Sequence, residues 1–141
     1  MKKIGISLAM IFLMQAAAGF CQDYKQAGLV LDRWSDIMDH FTGIMEAETD
    51  PGKLAEGCFQ LADSIELMVP QLKDLMKNYP EIFVENPPGE MMPSIKRNQA
   101  SSEKFGKLMG ILTNRANENP ENEEFQEAFA RLNKAVYLLY L

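Results

Sequence analysis

Apolar side chains recur at intervals of three and four along most of this chain and nowhere alternate over a useful length, which is the period of an amphipathic helix and not of a strand. In the first helical stretch Tyr24, Leu31, Met38 and Met45 fall on one line and Ala27, Trp34 and Phe41 on the next, flanked by Val30, Ile37 and Ile44. Thr49-Asp50-Pro51-Gly52 interrupts the pattern and restarts it, with Asp50 as helix cap and Pro51 at the first helical position. The second stretch has the cleanest register, Leu54, Cys58, Leu61, Ile65, Met68, Leu72, Leu75 and Tyr79. Pro70 lies inside it and predicts a kink near Leu67 or a helix ending by Val69. From Tyr79 to Pro93 the chain carries Pro80, Pro87, Pro88, Gly89 and Pro93, so this segment is expected to be the long connection with no regular element.

A third helix is expected from about Ser94, with Ile95, Phe105, Leu108, Met109 and Leu112 on its apolar side. Gly106 and Gly110, four apart, predict a face on which a neighbour comes close. Asn119-Pro120-Glu121 predicts the start of a fourth helix that buries Phe125, Phe129, Leu132, Val136 and Leu139. Four such helices, with short first and third links and a longer middle one, predict an all-α fold, an up-down-up-down antiparallel four-helix bundle.

The beginning of the chain follows a different pattern. Lys2 and Lys3, the apolar run Ile4 to Met14, and Ala16-Ala17-Ala18 read as a secretory signal peptide over residues 1–18, leaving one domain over 19–141. A periplasmic or secreted protein follows from that reading. A lipid anchor at Cys21 is the lesser alternative, because lipoprotein processing needs a small residue where Phe20 stands. The formal net charge is −6, and it grows more negative once Lys2 and Lys3 are removed. Repulsion from phosphates then argues against nucleic acid and against anionic lipid. No later segment is apolar enough to cross a membrane, so the chain is not expected to be transmembrane.

Chemistry-bearing residues are few. Cys58 falls on the core stripe of the second helix, at the opposite end of the bundle from Cys21. The expected separation of roughly 25 to 30 Å excludes a disulfide, whose Cα atoms lie about 4.4 to 6.8 Å apart. The sole histidine, His40, stands one turn from Asp36 and offers one imidazole and exposed carboxylates, an incomplete metal site. Most methionines fall on core stripes; Met91 and Met92, in the long link, are the two expected to be free, and with His40 they carry a subordinate copper reading. Nucleophilic catalysis would need Cys58 beside His40, one inward and one outward. The carboxylate pairs Glu123-Glu124 and Asp32-Asp36 read as surface helix charges, and no glycine-rich phosphate loop is present. No catalytic residue and no metal site is therefore assigned.

Met45-Glu46-Ala47 with Asp50 at the first turn, Pro87-Pro88 in the long link and Ala116-Asn117-Glu118 at the last turn give the chain from Tyr24 to Leu141 a resemblance to the cytochrome b562 family. That resemblance implies a four-helix bundle holding haem b between a methionine of the first helix and a histidine near the end of the fourth. The first helix here has Ser35 at the matching register and Met38 as the nearest methionine. The fourth has no histidine: counting from the C-terminus puts Tyr137 at the ligand position, and counting from Ala116-Asn117-Glu118 puts Leu139 there. Met38 and Tyr137 are thus the cofactor-binding residues the resemblance would use, tyrosine being an uncommon haem ligand. A Cys-x-x-Cys-His run for covalent haem attachment is missing.

Two functions are expected from these residues. The first is an exported, non-catalytic bundle without a prosthetic group that binds a protein or a small apolar ligand. The second is a haem-binding electron carrier with atypical ligands. Trp34, Tyr137 and Tyr140 could complete a core or form a contact surface, which leaves a homodimer open.

Overall fold

The computed structural model describes residues 23–141. The signal peptide, its cleavage before Gly19 and the state of Cys21 lie outside the described residues. Helix α1 spans Lys25–Met45 and buries Ala27, Leu31, Trp34, Met38, Phe41 and Met45 of the two lines read from the sequence, and with them the polar Ser35 and Thr42. Tyr24 precedes it without a side-chain cap; the Asp23 carboxylate accepts the backbone N–H of Lys25 at 3.0 Å instead.

The turn to α2 is built from side-chain acceptors. The N–H groups of Asp50 and Thr49 each donate to the Glu48 carboxylate at 2.9 Å, which holds its pKa below the usual carboxylate range. Asp50 then caps α2 (Pro51–Asn78) by accepting the N–H of Lys53 at 2.9 Å. α2 does not end at Val69. Its 28 residues run through Pro70, whose side is turned to solvent, while Met68, Val69 and Leu75 around it are buried. An interior proline costs about 3 kcal/mol or more, and anchoring the turns on both sides in the core offsets that cost.

The long connection is not structureless. It holds two 3₁₀ turns, Pro80–Phe83 and Gly89–Met91, which bury Ile82 and Met91 against Ala27, Leu31 and Leu75 in a second, smaller core. The Tyr24 hydroxyl donates to Glu81 at 2.9 Å and the Tyr24 and Tyr79 rings meet at 5.9 Å, so the link is tied to the start of α1. Burial, and then the bond to Glu81, raises the Tyr24 pKa above 10.0. Met91 is 2% exposed, which overturns its reading as a free thioether.

α3 (Met92–Glu118) starts two residues before Ser94, with Pro93 in its first turn. Asn119 closes α3 and does not open α4: its side-chain amide donates to the Arg115 carbonyl at 2.8 Å. The cap of α4 (Glu123–Tyr137) is Asn122, which accepts the N–H of Phe125 at 2.9 Å. Gln126 links the two helices by donating to the carbonyls of Ala116 at 2.7 Å and Asn119 at 3.1 Å. A last 3₁₀ turn, Leu138–Tyr140, follows.

The four helices pack against one another around one main core, which includes Met38, Met45, Leu61, Ile65, Leu108, Leu112, Phe125 and Leu132. α2 lies mainly on α4, α1 mainly on α3, α1 also meets α2, and α3 and α4 touch little. Gly28 lies beside Ser94 and Met91, Ser35 beside Asn98, and Met38 beside Ser102. Arg131 binds Asp63 and Glu66 across the α2–α4 seam, and Arg97 binds Asp36 and Asp39 across the α1–α3 seam. Gly106 and Gly110 face open space, contrary to the expectation of a close neighbour there. No described helix is long and apolar enough to cross a membrane.

Candidate functional site

The helices differ in length, and that difference shapes the surface. α4 has 15 residues and α2 has 28, which at 1.5 Å per residue is about 22 Å against about 42 Å. Beyond the end of α4 the walls of α2 and α3 lose their cover. An apolar depression of about 370 Å³ opens there, with Trp34 and Leu31 at its floor, Val69, Leu72 and Met76 along α2, Phe83 from the link and Leu138, Leu139 and Tyr140 at its lip. A second depression of about 390 Å³ shares Trp34, Leu139 and Tyr140 with it and extends past Met38 and Phe105. A third of about 340 Å³ shares Leu31, Phe83 and Asn98 and extends to Ile95 and Pro87. The three depressions adjoin one another at these shared residues, and together they are called the groove below.

Its polar groups are few: Glu85, Asn98 and Gln99 at the Ile95 end, Ser102 beside Met38, and Lys73 in the central depression. Trp34 is held by an edge contact with Phe105, rings 6.1 Å apart, so it belongs to the core and shows one side to the groove. Ser35, fully buried, donates to the Leu31 carbonyl at 3.0 Å and accepts from Asn98 at 3.3 Å, which pins the amide of Asn98 on the groove wall. Lys73 is the one charged side chain lining the central depression.

The two haem-ligand candidates differ in burial. Met38 is buried, with the Ser102 hydroxyl 3.8 Å from its sulfur. Tyr137 is 61% exposed, and the depression beside Met38 is lined by Val136, Leu139 and Tyr140, not by Tyr137. Leu139, the other candidate position, does line it. His40 is exposed and rests edge-on against Phe41 at 5.0 Å. Its partner Asp36 is taken by Arg97. Among the described residues no group of three or more His, Cys, Asp or Glu side chains is placed to hold a metal. Met92 is half-buried and lines the groove at the Ile95 end. Cys58 is fully buried, and burial pushes its thiol pKa from 9.0 to about 12.

Sequence reasoning placed Trp34 and Tyr140 as candidate contact residues but missed Phe83, Met76, Asn98 and Leu72 as parts of one surface. The readable signal was the shortness of the fourth apolar stripe beside the second. No protein-family model, no curated protein and no solved structure matches the chain.

Proposed function

We propose that this protein is an exported, non-catalytic helical bundle that takes a small apolar ligand into the groove beyond the end of α4, without a prosthetic group. The observation that carries this reading is the continuous apolar lining from Met38 through Trp34 to Phe83, open to solvent where α4 stops. Pockets for small molecules are mostly apolar with a few placed polar groups, and Asn98 and Lys73 fill that part here. The bundle is read as up-down-up-down. Tyr24 meeting Tyr79, with Met45 beside Gly57, supports opposite directions for α1 and α2. Gly28 by Ser94 and Met38 by Ser102 support the same direction for α1 and α3, as Asp63 with Arg131 and Val69 with Leu139 do for α2 and α4.

Trp34 is the single tryptophan of the chain and lines the groove. Titration with 1-anilinonaphthalene-8-sulfonate and with decanoate should therefore change its emission saturably, and Leu72→Glu should weaken both. Emission unmoved by either probe would reject the groove as a binding site.

The second reading is a haem-binding relative of cytochrome b562, favoured by the place of Met38 beside a depression of about 390 Å³. It needs Tyr137 turned inward or a different second ligand. Visible absorption of the purified protein, before and after addition of haem, decides it: a Soret band that depends on Met38 supports the second reading.

A further inference from the structure

The groove carries its charges unevenly. Lys73 of α2 lines the central depression, where every other lining side chain except Asn98 is apolar or aromatic. Glu85 is the one charged residue lining the Ile95 end. The depression beside Met38 is lined by no charged residue. Among the described residues neither Lys73 nor Glu85 has an ion-pair partner within 4.0 Å.

This order of charges selects a head group and a direction. A bare hydrocarbon gains nothing from Lys73, a cationic head is repelled by it, and an anionic head is attracted to it. Glu85 repels the same anion at the Ile95 end and so turns the rest of the ligand the other way, towards Met38. A membrane of anionic lipid meets the negative charge of the whole protein. A single head group in the central depression meets Lys73, because salt screens more distant charges beyond about 8 Å.

The length of the wall sets the length of the chain. On α3 the lining begins with Asn98 in the central depression and continues through Ser102, Phe105 and Gly106 to Met109 beside Met38. Intervals of four, three, one and three keep these positions on one helix face. From residue 98 to residue 109 the helix rises about 16 Å. An extended hydrocarbon advances about 1.25 Å per carbon, from bonds of about 1.5 Å at tetrahedral angles. A chain of about 13 carbons therefore spans that face.

We propose, resting on the apolar-ligand reading above, that the ligand is a straight-chain carboxylate of about 12 to 16 carbons. Its carboxylate accepts from Lys73 Nζ, and its tail runs past Trp34 and Leu139 and over Phe105 to Met109.

Trp34 emission reads the test, with octanoate, dodecanoate and tetradecanoate titrated below their micelle concentrations. Affinity should rise about twofold or more per added methylene, as for a chain partly buried in an open groove. Dodecyltrimethylammonium should bind about tenfold more weakly than dodecanoate. Lys73→Met keeps the stem and removes the charge, so it should weaken dodecanoate about threefold or more and leave 1-dodecanol unchanged. Gly106→Glu adds a carboxylate where a Cβ meets nothing within 4 Å. It should weaken tetradecanoate and spare octanoate. Thermal melts at the wild-type temperature would show that both variants fold. If no carboxylate moves Trp34 emission, the groove reading falls and this inference falls with it; a sedimenting dimer in that case would make a second copy the occupant. If dodecanoate binds but the Lys73→Met variant binds it equally, the cationic probe matches it, or affinity stops rising at octanoate, the assignment of head and chain is overturned while the groove stands.

Discussion

Gly57 of α2 is packed directly against the thioether of Met45 at the end of α1: a Cβ at Gly57 would lie 2.5 Å from the Met45 sulfur and 3.0 Å from its Cγ. Met45 is itself buried, so its side chain cannot simply swing into solvent. Replacing glycine by alanine inside a helix is worth about 1 kcal/mol in propensity, but moving a packed side chain costs about 1 to 3 kcal/mol. Gly57→Ala should therefore destabilise, by about 1 kcal/mol net. Gly106→Ala and Gly110→Ala meet open space and should each stabilise by about 0.5 to 1 kcal/mol. Urea unfolding of the three variants checks the contrast, and a stabilised Gly57→Ala would contradict the packing described.

The helix caps give a second comparison. Asn122→Ala and Asp50→Ala each remove an acceptor for a backbone N–H three residues on and should cost about 1 kcal/mol. Asn119→Ala removes only a donor to a carbonyl at the end of α3 and should cost less. Thermal melts that ranked Asn119 above Asn122 would place the start of α4 where the sequence pattern alone put it.

Cys58 should be inert in the folded protein. Its thiol stays protonated because burial pushes the pKa from 9.0 to about 12. Peptide mapping after iodoacetamide treatment should show Cys58 unmodified at pH 8 until denaturant is added. The same shift makes an alkaline prediction. Above pH 9 the unfolded chain releases this proton and the folded chain keeps it, so its contribution, complete below pH 9, is lost as pH rises from about 9 towards 12. Cys58→Ala should be less stable than wild type at neutral pH, from the cavity, and should lose stability less steeply between pH 9 and 11.

Tyr140 separates stability from binding. It is 82% exposed, yet it lines two of the three parts of the groove. Tyr140→Ala should leave unfolding free energy within about 0.5 kcal/mol of wild type and weaken decanoate binding several-fold. A loss of stability with binding unchanged would mean that the side chain serves the fold and not the groove.

The helices were largely legible from local spacing. Of the stripe read in α2, Leu54, Cys58, Leu61, Ile65, Met68 and Leu75 are buried while Leu72 and Tyr79 are only half-buried, Trp34 belongs to the core, and Asp50 caps α2. Pro70 misled because its cost is local while the burial of Met68, Val69 and Leu75 that offsets it is not. Met91 misled because a proline-rich setting looks open in sequence, whereas Ala27, Leu31 and Leu75 close over it.

What the sequence by itself determined is therefore the set of helices and the side of each that turns inward, since a period of 3.6 is written within a few residues of every position. Only the tertiary structure decided which faces meet: that α1 lies mainly on α3 and α2 on α4, and that the walls around Trp34 stand open beyond Tyr137. Those pairings depend on packing between residues some sixty positions apart, as in Ser35 with Asn98 and Asp63 with Arg131, and no local spacing rule carries that information.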